Sequence, residues 1–413
     1  MAISSILKSS YFKSITILAS GSIIAQLIVV VITPIISRIY APEILGVYTY
    51  TISIASIFIS VINGRYDISI VTDKNENNIF PLIKLSFIIG FIITILGTIG
   101  CVIYFITQNT SLYIAIYIFF ILLSYAIINV LTAYNNRMKE YKIMSSVYII
   151  RTASQNIGGS LLGLISACPH SLLVPYTIGQ TLGIKRQSKP FRGNWRNIIN
   201  VNFKDILRVA NLHRNQPLYS VPALLANSLS YSLITIFIEN LYSLETVGMY
   251  SLSVRLLGLP LALIGSNVSK VFTEKASKEY NTYSNYTNSL IKTTFFLVCV
   301  AIPMVIILIL YSRPLCIIFL GEQWATAGDY ISILAPMFGI RLITSALSPA
   351  LIIANKQKIE LYLQNIFLAS AIMSFVITKV NNLDVSYFLV LISVTYTLSY
   401  FVYLLFIYKY KKK

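Results

Sequence analysis

The chain is poor in charge: 11% of its 413 residues are Asp, Glu, Lys or Arg, less than half of the roughly 25% that soluble domains carry. Water is not its main solvent. Acid is scarcer still, with 14 residues against 32 Lys and Arg, and none of the 14 falls in the middle of an apolar run. Asp67, Glu239 and Asp329 lie at the ends of such runs. The two histidines, His170 and His213, are separated by a long stretch, so no metal pair at helical spacing exists. Four cysteines (Cys101, Cys168, Cys299, Cys316) are scattered without CxxC spacing, which indicates neither a zinc site nor a disulfide framework. P-loop and GxSxG patterns are missing too. No metal, no cofactor and no catalytic centre are expected, and the chain reads as a non-enzyme.

What is present is apolar. Hydrophobic residues make up 56% of the chain and its mean hydropathy is +0.75. Runs long enough to span a bilayer, about 20 residues each, fall near 14–37, 45–63, 80–106, 111–133, 143–166, 171–184, 217–238, 246–268, 288–311, 327–353, 359–378 and 386–408. The first is too long for a signal-peptide core. Backbone polar groups in lipid must be bonded within the segment, and the runs lack the alternation of membrane strands, so they are expected to be helices. The fold class is therefore an all-α integral membrane protein of about twelve transmembrane helices.

Basic residues report on orientation. With the N-terminus in the cytoplasm, 25 of the 32 Lys and Arg fall on the cytoplasmic side, 3 on the other and 4 within spans. That bias puts both termini in the cytoplasm of a multi-pass protein. The net charge of +18 is explained by this retention, and nucleic acid is not expected as a partner. The lipid bilayer is.

A repeat divides the chain. Tyr40, Glu43, Gly46 and Tyr48 form a Y-x-x-E-x-x-G-x-Y pattern, and Tyr242, Glu245, Gly248 and Tyr250 repeat it 202 residues later. Its position after spans 1 and 7 argues for two six-helix bundles, 1–184 and 207–413, joined by a basic cytoplasmic linker at 185–206. The second bundle would end in a basic cytoplasmic tail.

Four arginines fall in or at the edge of spans: Arg151, Arg214, Arg255 and Arg341. At a helix centre each costs on the order of 2.5–3.5 kcal/mol, so each should face a wet cavity or an anion. An inward-facing set would form a positive cavity suited to phosphate, whose oxygens accept paired guanidinium hydrogen bonds. Snorkelling to an interface is the alternative, most readily for Arg214. Gln26, Asn63, Asn129, Gln155, Asn156, Gln180, Asn227, Asn267 and Asn365 accompany them, either as donors to sugar hydroxyls or as interhelical bonds. Pro34, Pro217, Pro222, Pro260, Pro303 and Pro336 lie in or near spans, where they can kink helices.

The stretches GSIIAQLIVVVITPIISRIYAPEILGVY (21–48), GRYDISIV (64–71), PLYSVPALLANSLS (217–230), VGMYSLSVRLLGLPLALIGSNVSKVF (247–272) and FLGEQWATAGDYISILAPMFGIRLITSALSPALIIANKQKIELYLQ (319–364) resemble the oligosaccharide flippases. These form the polysaccharide-transporter branch of the multidrug/oligosaccharidyl-lipid/polysaccharide (MOP) exporter superfamily. The resemblance implies two bundles around a cationic cavity and movement of undecaprenyl-pyrophosphate-linked oligosaccharide repeat units from the cytoplasmic to the periplasmic leaflet. That places the chain in a bacterial cytoplasmic (inner) membrane, serving O-antigen, lipopolysaccharide or capsule synthesis, with other polysaccharide-assembly membrane proteins as partners. It also implies family arginines at Arg65 of GRYD, Arg255 of SVRLLGLP and Arg341 of GIRLI. Arg214 aligns less closely, and Arg151 rests on the physical argument alone. A drug/cation antiporter of the same superfamily, a peptidoglycan-precursor flippase and a membrane glycosyltransferase or polymerase are the competing readings. The antiporter should carry carboxylates within the bundle, and the polymerase acids or a sizeable outer loop.

Overall fold

The computed structural model describes residues 10–108, 111–354 and 356–411. Apolar side chains set the helices, since a backbone surrounded by hydrocarbon must close its own hydrogen bonds. In chain order they are α1 (Ser10–Ile39), α2 (Pro42–Ile59), α3 (Tyr66–Thr72), α4 (Ile79–Thr107), α5 (Tyr113–Arg137), α6 (Tyr141–Ile165) and α7 (Pro169–Thr181). After short turns come α8 (Phe203–Leu212), α9 (Val221–Leu241), α10 (Leu244–Pro260), α11 (Ser266–Tyr283), α12 (Thr287–Leu320), α13 (Ala325–Leu347), α14 (Gln357–Asn381) and α15 (Val385–Lys409). No β-strand occurs among the described residues.

Ten helical stretches among the described residues are long and apolar enough to cross a membrane. α6 and α7 are not among them. α6 carries Arg151, Gln155 and Asn156 along its length, and α7 has 13 residues. Helix also continues where a loop was expected after residue 268: α10 passes through a π turn at Leu261–Gly265, next to Pro260, directly into α11. It stops at Ser284, which takes a left-handed φ of 53°. A second π turn, Gln216–Ser220, contains Pro217 and leads into α9. Both follow from proline's missing N–H, which breaks the regular ladder.

The chain forms two compact units, one comprising the residues up to Ile39 with Thr51–Ser228, the other Tyr40–Tyr50 with Leu229 onward. In the first, α1 packs on α6, α6 on α7, and α4 on α5. In the second, α13 is central, packed by α10, α12 and α15, while α14 lies on α15. Its buried face carries Leu334, Ala335, Phe338, Leu342 and Ala346.

The basic stretch 185–206 is a folded layer of the first unit. Phe191, Ile198, Ile206 and Val209 are buried in one cluster with Tyr66, Ile70, Ile79, Leu82 and Tyr134. Polar ties fasten the same layer. Lys84 Nζ donates to the carbonyls of Ile199 (2.6 Å) and Val201 (3.0 Å), and Tyr66 Oη to that of Ala210 (3.2 Å). Arg137 donates to the carbonyls of Ile70 and Asp73 and pairs with Glu76 at 2.6 Å.

Asp73 and His213 close this layer at 2.8 Å, the carboxylate being 9% exposed. Burial opposes ionisation of Asp73, but the backbone N–H of Asn75, the Asn78 amide and His213 outweigh it and hold the carboxyl below its ordinary range. A carboxyl depressed by folding stabilises above its unfolded pKa, and that contribution is lost as pH falls through the lower folded value. Asp73→Asn is therefore expected to lower thermal stability in detergent at neutral pH, by about 1.5–3 kcal/mol for bonds to a charged group. The gap to wild type should close as pH drops below the ordinary carboxylate range. A gap unchanged by acid would show that the charge is not what matters.

Within the second unit the two copies of the sequence repeat meet. A Cβ on Gly46 would lie 1.7 Å from the Leu244 carbonyl oxygen, and one on Gly248 would lie 1.8 Å from that of Pro42. Each glycine thus lets the first turn of the other copy's helix approach backbone to backbone, α2 against α10. Glu43 and Glu245 stand in those first turns, where carboxylates complement the helix dipole. Of the repeat's tyrosines, Tyr40 and Tyr250 are buried.

Candidate functional site

In the first unit, α2 ends at Ile59 and the chain turns through Ser60–Arg65 before α3. Gly64 (φ 58°) and Arg65 (φ 64°, ψ 10°) are both left-handed. A non-glycine residue pays on the order of 1–2 kcal/mol there, so the surroundings must fix the turn. Asn63 does so: its Nδ2, fully buried, donates to the carbonyls of Ser86 on α4 (3.1 Å) and Ala126 on α5 (3.0 Å). The turn borders a cavity of about 460 Å³ lined by Ser60, Asn63, Arg65, Asp67, Asn129, Thr132 and Asn136. Arg65 Nε is buried without a hydrogen-bond partner. Burial pushes the Asp67 carboxyl up, and the Arg65 charge opposes that.

Arg151 lies on α6 in the same unit. Its Nη2 donates to Gln180 Oε1 on α7, Gln180 Nε2 donates to Tyr125 Oη on α5 (3.1 Å), and Tyr125 and Tyr176 hydroxyls meet at 3.3 Å. The guanidinium stands 5.8 Å from the Tyr125 ring centre. Gln155 packs beside this relay, with its Cγ where a Cβ on Gly179 would press. The cation is met by amide and phenol, not by carboxylate.

Arg341, on α13 of the second unit, sits in a cage of aromatic rings. Its guanidinium lies 4.3 Å from the Tyr231 ring centre and 5.2 Å from that of Phe338, within the range of cation–π attraction. Tyr231 and Tyr400 hydroxyls are hydrogen-bonded, and Tyr396 Oη donates to the Ser230 carbonyl. Phe367 backs Tyr396 and Tyr400, ring centres 5.2 and 4.6 Å away. Among the described residues Arg341, like Arg151, makes no ion pair. Arg255 is on α10, half-buried, with Tyr48 as its electrostatic neighbour, less than two turns before Pro260.

Arg214 is exposed in the turn between α8 and the π turn at Gln216–Ser220, ahead of the apolar stretch. Asn156 and Asn267 donate to carbonyls of their own helices (Thr152, 2.9 Å; Leu263, 2.7 Å). Gln26 and Asn227 are half-buried on α1 and α9, and Asn365 is exposed on α14. The tyrosines around Arg151 and Arg341 are not among the candidates named from sequence. The i, i+4 spacing of Tyr396 and Tyr400 on a strongly apolar helix was the available signal.

The fold has well-matched counterparts among solved structures. A lipid II flippase, MurJ, in an inward closed conformation aligns with a TM-score of 0.70 at 15% identity, covering 95% of this chain and 87% of that one. A multidrug resistance MATE family transporter of the MOP superfamily, inward-facing, aligns at 0.68 and 11% identity over 95% and 94%. A MOP superfamily transporter from Pyrococcus furiosus, described as having a binding pocket of reverse polarity, aligns at 0.61 and 12% identity over 98% of each chain. The molecule is thus a multi-pass membrane protein with the exporter-superfamily fold. No curated protein matches its sequence. The chain belongs to the polysaccharide biosynthesis protein family, whose pattern matches residues 70–329.

Proposed function

We propose that the protein is a flippase that moves undecaprenyl-pyrophosphate-linked oligosaccharide repeat units from the cytoplasmic to the periplasmic leaflet, by alternating access, for O-antigen or capsular polysaccharide. The observation that carries this reading is the state of Arg151 and Arg341. Each is a guanidinium on a helix packed among others, positioned by aromatic rings or by an amide rather than neutralised by a carboxylate. The positive charge is held in place and left to act on an anion. Guanidinium offers phosphate oxygens paired donors that an ammonium lacks. Family membership in polysaccharide biosynthesis supports a sugar-bearing cargo, and the lipid tail of such a cargo can stay in the bilayer while its head group crosses. No bond in the substrate is made or broken.

Deleting the gene should leave lipid-linked repeat units in the cytoplasmic leaflet, inaccessible to an impermeant sugar-oxidising reagent applied from outside. Accumulation of the peptidoglycan precursor instead would overturn the cargo, and labelled repeat units in the outer leaflet would overturn the flippase reading. Orientation is a separate expectation. Reporter fusions at Lys413 and within Lys185–Arg208 should both report cytoplasm, as the basic bias requires. A periplasmic signal from either would reverse the topology.

A further inference from the structure

We infer that the groove between α11 and α12 is a binding site for an anionic phospholipid of the surrounding bilayer, independent of the cargo proposed above. The groove has a volume of about 500 Å³, and its wall divides by chemistry. Lys275, Lys292, Asn267 and Asn288 supply charge and polar donors, while Val271 and Phe296, 53% and 51% exposed, supply an apolar surface. An amphiphile matches both parts at once: phosphate against the two ammonium groups, acyl chains along the valine and phenylalanine.

Depth favours a lipid. α12 has 34 residues, about 51 Å at 1.5 Å per residue, against a hydrocarbon core of about 30 Å. Its polar residues Asn288 and Lys292 stand in the first turns, ahead of the apolar stretch that begins at Phe295, so this end is the one suited to the headgroup layer, and the apolar wall continues toward the acyl region. Charge favours an anion. Glu279 is the acid beside Lys292, and its two carboxylate oxygens accept from the backbone N–H groups of Asn288 and Ser289, 2.9 Å each. It is committed to the N-terminus of α12. Lys275 makes no ion pair among the described residues, whereas Lys278, one turn away, is paired with Glu274 at 2.7 Å. Two ammonium groups thus share the groove with one acid, and a phosphodiester restores balance. Basic pockets between membrane helices recognise anionic head groups by this arrangement.

The test is native mass spectrometry of the purified full chain mixed separately with dioleoyl phosphatidylglycerol, dioleoyl phosphatidylcholine and undecaprenyl phosphate. Wild type should retain phosphatidylglycerol at collision energies that strip phosphatidylcholine. K275A/K292A should lose at least fivefold of that retention, while K270A/K278A, which removes the same charge from α11 at positions outside the groove wall, should keep it. Phe296→Ser should weaken dioleoyl but not short-chain phosphatidylglycerol. Equal retention by K275A/K292A and wild type overturns the site, and equal loss from both lysine pairs reduces it to general surface charge. Displacement of phosphatidylglycerol by stoichiometric undecaprenyl phosphate would assign the groove to the isoprenoid carrier and overturn the phospholipid assignment.

Discussion

Arg341→Ala is expected to abolish surface polysaccharide, by at least tenfold, in a strain whose only copy of the gene carries it, while the protein still accumulates in the membrane. The cation is held by the Tyr231 and Phe338 rings, at 4.3 and 5.2 Å, an attraction worth about 0.5–2 kcal/mol. Losing it removes little of the packing of α13, whose contact face is made by Leu334, Ala335, Phe338 and Leu342. The charge itself is what transport would lose. Arg341→Lys keeps a cation over the same ring but not the paired donors, so partial export is the expected result. Tyr231→Phe keeps the ring and deletes the hydroxyl bonded to Tyr400; it should transport better than Tyr231→Ala, which removes the platform. Full export by Arg341→Ala at normal membrane levels would reject the role, and normal export by Tyr231→Ala would show that the cage does not position the cation.

Part of this arrangement is local in sequence and part is not. A helix in lipid announces itself through an uninterrupted apolar run, and a lone arginine inside such a run stands out because little else there is charged. Arg151, Arg255 and Arg341 were found that way. What surrounds them was not, because Tyr231 and Tyr400 reach Arg341 from helices 110 and 59 positions away in the chain, and an apolar run full of tyrosines gives no register between helices. The stretch 185–206 was only partly legible, for a different reason. Its seven nearby basic residues, from Lys185 to Arg208, mark it as a basic linker; they stay exposed, while Phe191, Ile198 and Ile206 bury into the first unit. The i, i+3 pair Ile206 and Val209 was the clue that α8 has an apolar face. Asn63 was visible as a polar residue at the end of a span, but its two carbonyl partners on α4 and α5 make it a brace for the Arg65 turn as well as part of the cavity wall.

The repeat carries the second large effect. Gly46→Ala and Gly248→Ala should each destabilise the α2–α10 crossing by more than about 3 kcal/mol, at the upper end of what point substitutions do. A methyl group at either position would overlap a backbone carbonyl oxygen, at 1.7 Å from Leu244 and 1.8 Å from Pro42. No side-chain rotation relieves a clash with main chain, so the helices must separate. The two clashes share one cause, and once the helices have parted for the first methyl the second meets no carbonyl. The double variant should therefore cost about as much as either single one, a coupling of the size seen for residues in direct contact. Thermal unfolding of the detergent-solubilised variants measures the three values against wild type. Thiol accessibility at Tyr250→Cys, a buried position on α10 two residues from Gly248, reads loosening of that helix: labelling should rise in both single variants and rise no further in the double. Additive losses would mean that each glycine serves a separate contact. Wild-type stability and labelling in both single variants would mean that the helices tolerate a methyl group at the crossing.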